Sequence, residues 1–266
     1  MHVSTFICRF FVLLAIAAFL TATASAAEDP TIVFLIGEKE YETRETLPAF
    51  AADVLEPLGY ECIFVHALQS QPNIFPGASA IDRADLLVIS VRRRALPKAD
   101  LDRVRAHLAA GKPIIALRTA CHAFDPKGEL PDGHDAWRTF DVDVLGARYD
   151  NHLDNDAGTT IDPVQINQGH SVLRDVPPQP FVSAGTLYRM FDLEAEAELL
   201  ANGRAVVDGQ TQTFPVAWTR ITPDGSRVFA TTLGHKSDFE QPAFRTLLKN
   251  AVPWCLQEAN QPVAIR

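Results

Sequence analysis

An uninterrupted apolar run, Thr31-Ile32-Val33-Phe34-Leu35-Ile36-Gly37, forms the first clear element of the chain. A run without polar alternation, rich in β-branched side chains, predicts a strand buried on both faces, as in a parallel sheet. The period then becomes helical over residues 46–58. Leu47, Phe50, Ala51, Val54 and Leu58 fall on one stripe, and Gly59 follows as the C-cap. Residues 61–68 read as a second strand. A Pro- and Gly-containing loop over 69–80 leads to a third strand at 86–91. Pro97 opens a helix with Leu101, Val104 and Leu108 on its apolar face and Gly111 at its end. His107 falls off that stripe and is expected to be exposed. The fourth strand, 113–117, begins directly after Gly111-Lys112.

This β-α-β-loop-β-α-β order predicts an α/β fold, a doubly wound parallel sheet with right-handed crossovers. The second half is less regular. A short helix is expected over 137–145, then strands over 159–166, 198–200, 214–218 and 227–232, with turns at Gly203 and Asp208-Gly209. Pro242 opens a terminal helix carrying Phe244, Leu247, Leu248 and Val252. No internal repeat or low-complexity linker interrupts residues 27–266, so one domain is expected there.

The N-terminus has a different character. Arg9, an apolar stretch over 10–20 and Ala24-Ser25-Ala26 have the charge, length and small-residue pattern of a cleaved export signal over residues 1–26. A periplasmic or extracellular location is expected, with no membrane association once the signal is removed. The formal net charge of −9 argues against nucleic acid as a partner, because phosphate neutralisation needs Lys and Arg. Arg92-Arg93-Arg94 is the one basic run, long enough to line a small anionic pocket. Cys62, Cys121 and Cys255 remain after removal of the signal. That odd number, without C-x-x-C, leaves at least one thiol free or intermolecular. Association into a homo-oligomer is compatible with the chain.

Candidate chemistry gathers where the fourth strand ends. The apolar run gives way to Arg118-Thr119-Ala120-Cys121-His122. In open α/β sheets ligands bind outside the carboxyl ends of the strands. The loop after the first strand brings Glu38, Glu40 and Tyr41 to the same edge. Three further histidines, His152, His170 and His235, lie far apart in the chain, and the latter two follow glycines. Imidazoles assembled by the fold can bind a metal, move protons or hydrogen-bond a polyol.

Several motifs in this order resemble the ThuA-like (trehalose-utilisation) family. They are Gly111-Lys112-Pro113 through Ala123-Phe124, Gly146-Ala147-Arg148-Tyr149 with His152, and Gly169-His170-Ser171-Val172-Leu173. Leu187-Tyr188-Arg189-Met190-Phe191, the stretch from Arg227 to His235, and Asn250-Ala251-Val252-Pro253-Trp254 complete the pattern. The resemblance implies a flavodoxin-like, class I glutamine-amidotransferase-like three-layer sandwich with a mostly parallel central sheet. It also implies a sugar or oxidised-sugar substrate. One departure matters. Where glutamine amidotransferases present a nucleophilic Cys after the fourth strand, this chain has Arg118, and Cys121 comes three residues later. A guanidinium has no accessible neutral form and cannot be a nucleophile or base. Many relatives carry His in that slot, and a metal or acid–base role there does not transfer to Arg118.

The leading expectation is therefore an exported protein of carbohydrate metabolism. His122 and His235 handle protons in a hydrolytic or eliminative reaction without a covalent nucleophile. Arg118, Glu38, Glu40, Tyr41, His152, His170 and Tyr188 contact substrate. The alternative is a non-catalytic sugar-binding protein of the same fold. Thiol chemistry at Cys121, helped by His122, ranks third. No cofactor is expected. Zinc is disfavoured because a unit charge ~4 Å from a guanidinium costs about 4 kcal/mol at an effective dielectric near 20. Mass spectrometry of exported protein should find a mature N-terminus near Ala27; protein that keeps Met1 contradicts the export reading.

Overall fold

The computed structural model describes residues 29–164, 167 and 169–257. The export signal expected over 1–26, and the last two residues of the strand expected over 159–166, lie outside them. Strand β1 is Thr31–Gly37 and every residue in it is buried. Helix α1, Thr43–Phe50, continues as a π turn over Ala51–Leu55 and a 3₁₀ turn to Leu58. Strands β2 (Glu61–His66) and β3 (Leu86–Val91) follow. A two-residue strand β4, Leu96–Pro97, leads into α2, Lys98–Ala109. Strand β5 is Ile114–Leu117. The second half holds β6 (His134–Asp135), β7 (Arg148–His152), β8 (Thr159–Pro163), β9 (Phe181–Ser183) and β10 (Tyr188–Phe191). Then come the long strands β11 (Glu198–Val207) and β12 (Gln210–Ile221), β13 (Arg227–Thr231) and α3 (Pro242–Leu256).

Nine strands form one sheet in the order β2-β1-β3-β5-β13-β12-β11-β8-β9. The pairings from β2 through β13 are parallel, and those beyond β13 are antiparallel. Side chains of β1 alternate between two cores. Ile32, Phe34 and Ile36 pack with Leu47 and Phe50 of α1 and Phe244 and Leu248 of α3. Val33 and Leu35 pack on the other face with Leu101, Val104 and Leu108 of α2. A sheet with both faces covered by helices is the three-layer α/β sandwich, and it explains the unbroken apolar runs. Among the described residues no helix is long and apolar enough to cross a membrane.

Several local expectations change. The α1 stripe ends on Leu55, 1% exposed, while Leu58 is 59% exposed. The π turn at 51–55 adds residues per turn, so the buried stripe drifts from the position that a regular helix would give. His107 is buried at 4% exposure, and its Nε2 donates to the Pro113 carbonyl at 2.9 Å. A polar ring beside the chain entering β5 satisfies a backbone acceptor there, which hydrophobic periodicity cannot show. Gly203 is not a turn but lies inside β11, where an added Cβ would fall 2.5 Å from Val216 Cγ1 and 2.7 Å from Leu187 Cδ1. The turn is at Asp208-Gly209, with φ of 51° and 71°, between the paired Val207 and Gln210. Positive φ at both central residues is the type I′ geometry that matches strand twist. Strands β7, β9 and β10 have no strong apolar alternation and went unrecognised in the sequence.

Gly203→Ala should lower unfolding free energy by about 1–3 kcal/mol, the cost of overpacking a filled core. Denaturant titration measures it, and an unchanged midpoint would show that the core has slack at this point.

Candidate functional site

The chain leaves β5 through a strained residue. Arg118 has φ of 45°, the left-handed region that non-glycine residues rarely adopt. A 3₁₀ turn over Arg118–His122 follows, and all five of its residues are buried. The elbow geometry is thus present while its first residue is an arginine.

The Arg118 side chain is 3% exposed. Its guanidinium carbon lies 4.1 Å from the ring centre of Tyr41 and 4.7 Å from that of Tyr188. Nη1 donates to the Thr232 carbonyl at 2.8 Å and Nη2 to the Thr186 carbonyl at 3.4 Å, while Nε has no partner among the described residues. Two glycines make room. A Cβ on Gly185 would meet Nη1 at 2.8 Å, and one on Gly234, where φ is 119°, would fall 3.0 Å from the Leu117 side chain. Burial opposes the charge, but Tyr188, Tyr41 and the carboxylate of Asp238 more than offset it, and the guanidinium stays charged. Asp238 is itself fully buried, and its Oδ2 accepts from the Gly234 and His235 amides at 2.8 and 2.9 Å. The sequence reading missed Asp238. Its signal was the spacing of three residues after His235, the spacing of a capping box.

The tyrosines connect the rest of the cluster. The hydroxyls of Tyr41 and Tyr188 lie 3.2 Å apart. Tyr41 faces His235 edge-on with ring centres 6.0 Å apart, and Tyr188 lies 6.0 Å from His122. Pairing of Tyr188 with His152 across β10 and β7 places that ribbon over the elbow, and Tyr149 from β7 stacks on His122 at 4.5 Å. Arg118, His122, His152, Tyr41, Tyr188 and His235 are therefore neighbours at the carboxyl edge. Tyr149 belongs to the same group and was not singled out from the sequence.

The individual roles differ from expectation. His122 is 5% exposed, and its pKa falls to about 3, first through burial and then through Arg93, Arg92 and Arg118. At neutral pH it has no proton to give, so the general-acid half of its expected role lacks a basis. His235 is half-buried; its Nδ1 accepts from the Ser237 amide at 3.3 Å and lies 2.9 Å from the Ser237 hydroxyl. Glu38 is buried rather than open to substrate. Its Oε2 accepts from the Tyr41 amide at 2.8 Å, and its Oε1 accepts from the Thr43 amide and hydroxyl at 2.7 and 2.5 Å. It shapes the loop that presents Tyr41. Glu40 is exposed in an ion pair with Arg92 at 2.9 Å. His152 is exposed at the rim.

His170 does not join the cluster. Its ring packs 5.6 Å from Trp254 in the last turn of α3, its Nδ1 caps the turn at Ser171–Leu173, and Glu198 lies 4.0 Å away. Gly169 keeps an ordinary backbone with open space around it, so the Gly-His pattern has different meanings at 169 and at 234. The Cys121 thiol lies 3.3 Å from His122 Nδ1, closer than adjacency in sequence suggests, because the 3₁₀ turn folds both inward. Burial raises the thiol pKa well above its usual value, followed by Asp141, and a neutral imidazole offers no compensating charge. Thiolate chemistry is thus opposed at this dyad. Among the described residues no group of three or more His, Cys, Asp or Glu is placed to hold a metal ion.

The sequence model of a family described as ThuA, trehalose utilisation, matches residues 33–255. Among solved structures, a ThuA-like protein from Bacteroides uniformis superposes with a TM-score of 0.58 at 15% identity, covering 88% of this chain and 94% of that one. One from Parabacteroides merdae gives 0.59 at 13%, covering 88% and 93%. At such identities the likeness concerns the fold. No match is found among curated proteins.

Holding His122 neutral has a cost that depends on pH. Below about pH 6.5 the unfolded chain binds a proton that the folded chain refuses, so stability falls with pH until about 3. Compared with His122→Gln, the wild type should lose an additional 1–2 kcal/mol, on the order of that size, between pH 7 and pH 5. Urea unfolding at the two pH values measures this; parallel losses in both proteins would contradict the burial of a neutral ring.

Proposed function

The chain belongs to the ThuA (trehalose utilisation) family, and from that premise we propose that it binds a sugar or oxidised-sugar derivative at the carboxyl edge of its parallel strands and acts on it by acid–base chemistry without a covalent nucleophile. The observation that carries the reading is the position of Tyr41. Its ring is stacked on the buried Arg118 guanidinium and meets His235 edge-on. A rigid aromatic face beside polar donors suits a polyol, which offers C–H faces and hydroxyl edges together. His235, half-buried where His122 is enclosed, is the proton-handling group in this proposal. His122 supports the ring of Tyr149 and serves at most as a base. Arg118 acts through Tyr41 and Tyr188. The absence of a nucleophile at the elbow and the raised Cys121 pKa support a mechanism with no covalent intermediate. Export over residues 1–26 is part of the same proposal and places the substrate outside the cytoplasm.

One observation favours the non-catalytic reading. The two residues most central to the elbow, Arg118 and His122, are 3% and 5% exposed, so neither presents an open reactive face.

Calorimetry and product analysis against trehalose, neutral hexoses and keto-sugars separate the two. His235→Ala should reduce turnover about 10²–10⁴-fold with little change in affinity. Arg118→Lys retains the charge but loses the planar stack, and should weaken binding about 10- to 150-fold. Binding without product, altered only in affinity by His235→Ala, establishes the binding-protein alternative. Unchanged binding by both variants removes the carboxyl edge from consideration.

A further inference from the structure

The arginine run after β3 divides in a way that the function above does not use. Arg92 pairs with Glu40 at 2.9 Å, and Arg93 pairs with Asp125 at 2.8 Å. The Arg94 backbone amide donates to the Ala123 carbonyl at 2.7 Å, but its side chain makes no hydrogen bond or ion pair among the described residues, and its Nε is buried without a partner. It lines a cleft of about 360 Å³ at the carboxyl ends of β1 and β2, together with Gly37, Lys39, Arg44 and Leu68. That volume lies within the roughly 300–1,000 Å³ typical of small-molecule sites. Gly37 ends β1 and Arg94 follows β3, so the cleft also lies at the β1/β3 switch point, where the chain reverses direction along the sheet.

Two of the three carboxylates in its walls, Glu38 and Glu42, are already engaged. Glu38 accepts three hydrogen bonds from Tyr41 and Thr43. Glu42 pairs with Lys236 at 2.5 Å, and the charge of Glu45 acts on the same lysine. Arg44 uses one nitrogen on the Ala67 carbonyl. What remains for a ligand is a half-buried guanidinium, part of a second one and the Lys39 ammonium. A planar fork of N–H groups matches a carboxylate bidentately.

We propose that the cleft walled by Arg94 and Arg44 is an anion subsite that takes the carboxylate of an acidic sugar. The sugar part of this assignment rests on the function proposed above; the anionic part does not. Loop 38–43 is the shared wall, with Glu38 lining the cleft and Tyr41 stacked on Arg118.

Calorimetric titration of the full chain with glucuronate, glucose, acetate and inorganic phosphate tests it, in wild type and in Arg94→Gln. Glucuronate should bind at least about tenfold more tightly than glucose, and Arg94→Gln should weaken glucuronate about 10- to 100-fold while leaving glucose unaffected. Equal affinity for glucuronate and glucose, or glucuronate binding unaffected by Arg94→Gln, overturns the subsite and leaves the carbohydrate reading intact. Acetate bound as tightly as glucuronate, and dependent on Arg94, supports the anion subsite and removes the sugar. Phosphate bound more tightly than either carboxylate overturns the carboxylate assignment. Should Arg94→Gln fail to fold, amide shifts of Gly37 and Lys39 on adding glucuronate to the unmodified protein decide the matter: shifts there support the subsite, and their absence overturns it.

Discussion

A buried cation held between two tyrosine rings organises the carboxyl edge of this protein. Arg118 sits at a backbone position with φ of 45°, at the end of the central strand β5, and is almost wholly withdrawn from water. An isolated charge there costs several kcal/mol. It persists because Tyr41 and Tyr188 cover its faces, Thr232 and Thr186 accept from its edge, and Asp238 contributes an opposite charge nearby. The five partners come from three separate stretches of chain. The clamp therefore ties the loop after β1, the β7–β10 ribbon and the loop after β13 to the elbow.

The same arrangement decides which chemistry is open. The fold keeps a strained elbow but fills it with a group that neither attacks nor abstracts. The positive charges of Arg92, Arg93 and Arg118 act with burial to hold His122 neutral. Cys121, beside it, is buried and protonated. The proposed chemistry therefore lies outward, at the half-buried His235 and in the cleft beside Glu38. In the function proposed here, recognition runs through aromatic faces and fixed donors rather than through an activated nucleophile.

Much of the first half was legible in sequence because a buried parallel strand announces itself: β1 and β3 have the bounds that their apolar runs predict. The second half was less so. Strands β7 and β10 carry Arg148, Asp150, Asn151 and Arg189, and their alternation is masked by surface charge. Of the site, the elbow and His235 could be found because polarity changes abruptly at strand ends. Glu38 and His170 were misplaced because a carboxylate that accepts backbone amides and an imidazole that caps a turn look, in sequence, the same as ligand-binding groups. Arg94 differs from Arg92 and Arg93 only through partners brought from Glu40 and Asp125, which no local pattern records.

The most direct measurement is a crystal structure of the protein soaked with an acidic sugar. This account predicts density at the carboxyl ends of β1 and β3, in contact with Tyr41 and Arg94, with the Arg118 clamp intact behind it. Density at the opposite end of the strands, near Trp254 and His170, or a ligand that displaces Tyr41 to reach the guanidinium, would contradict it.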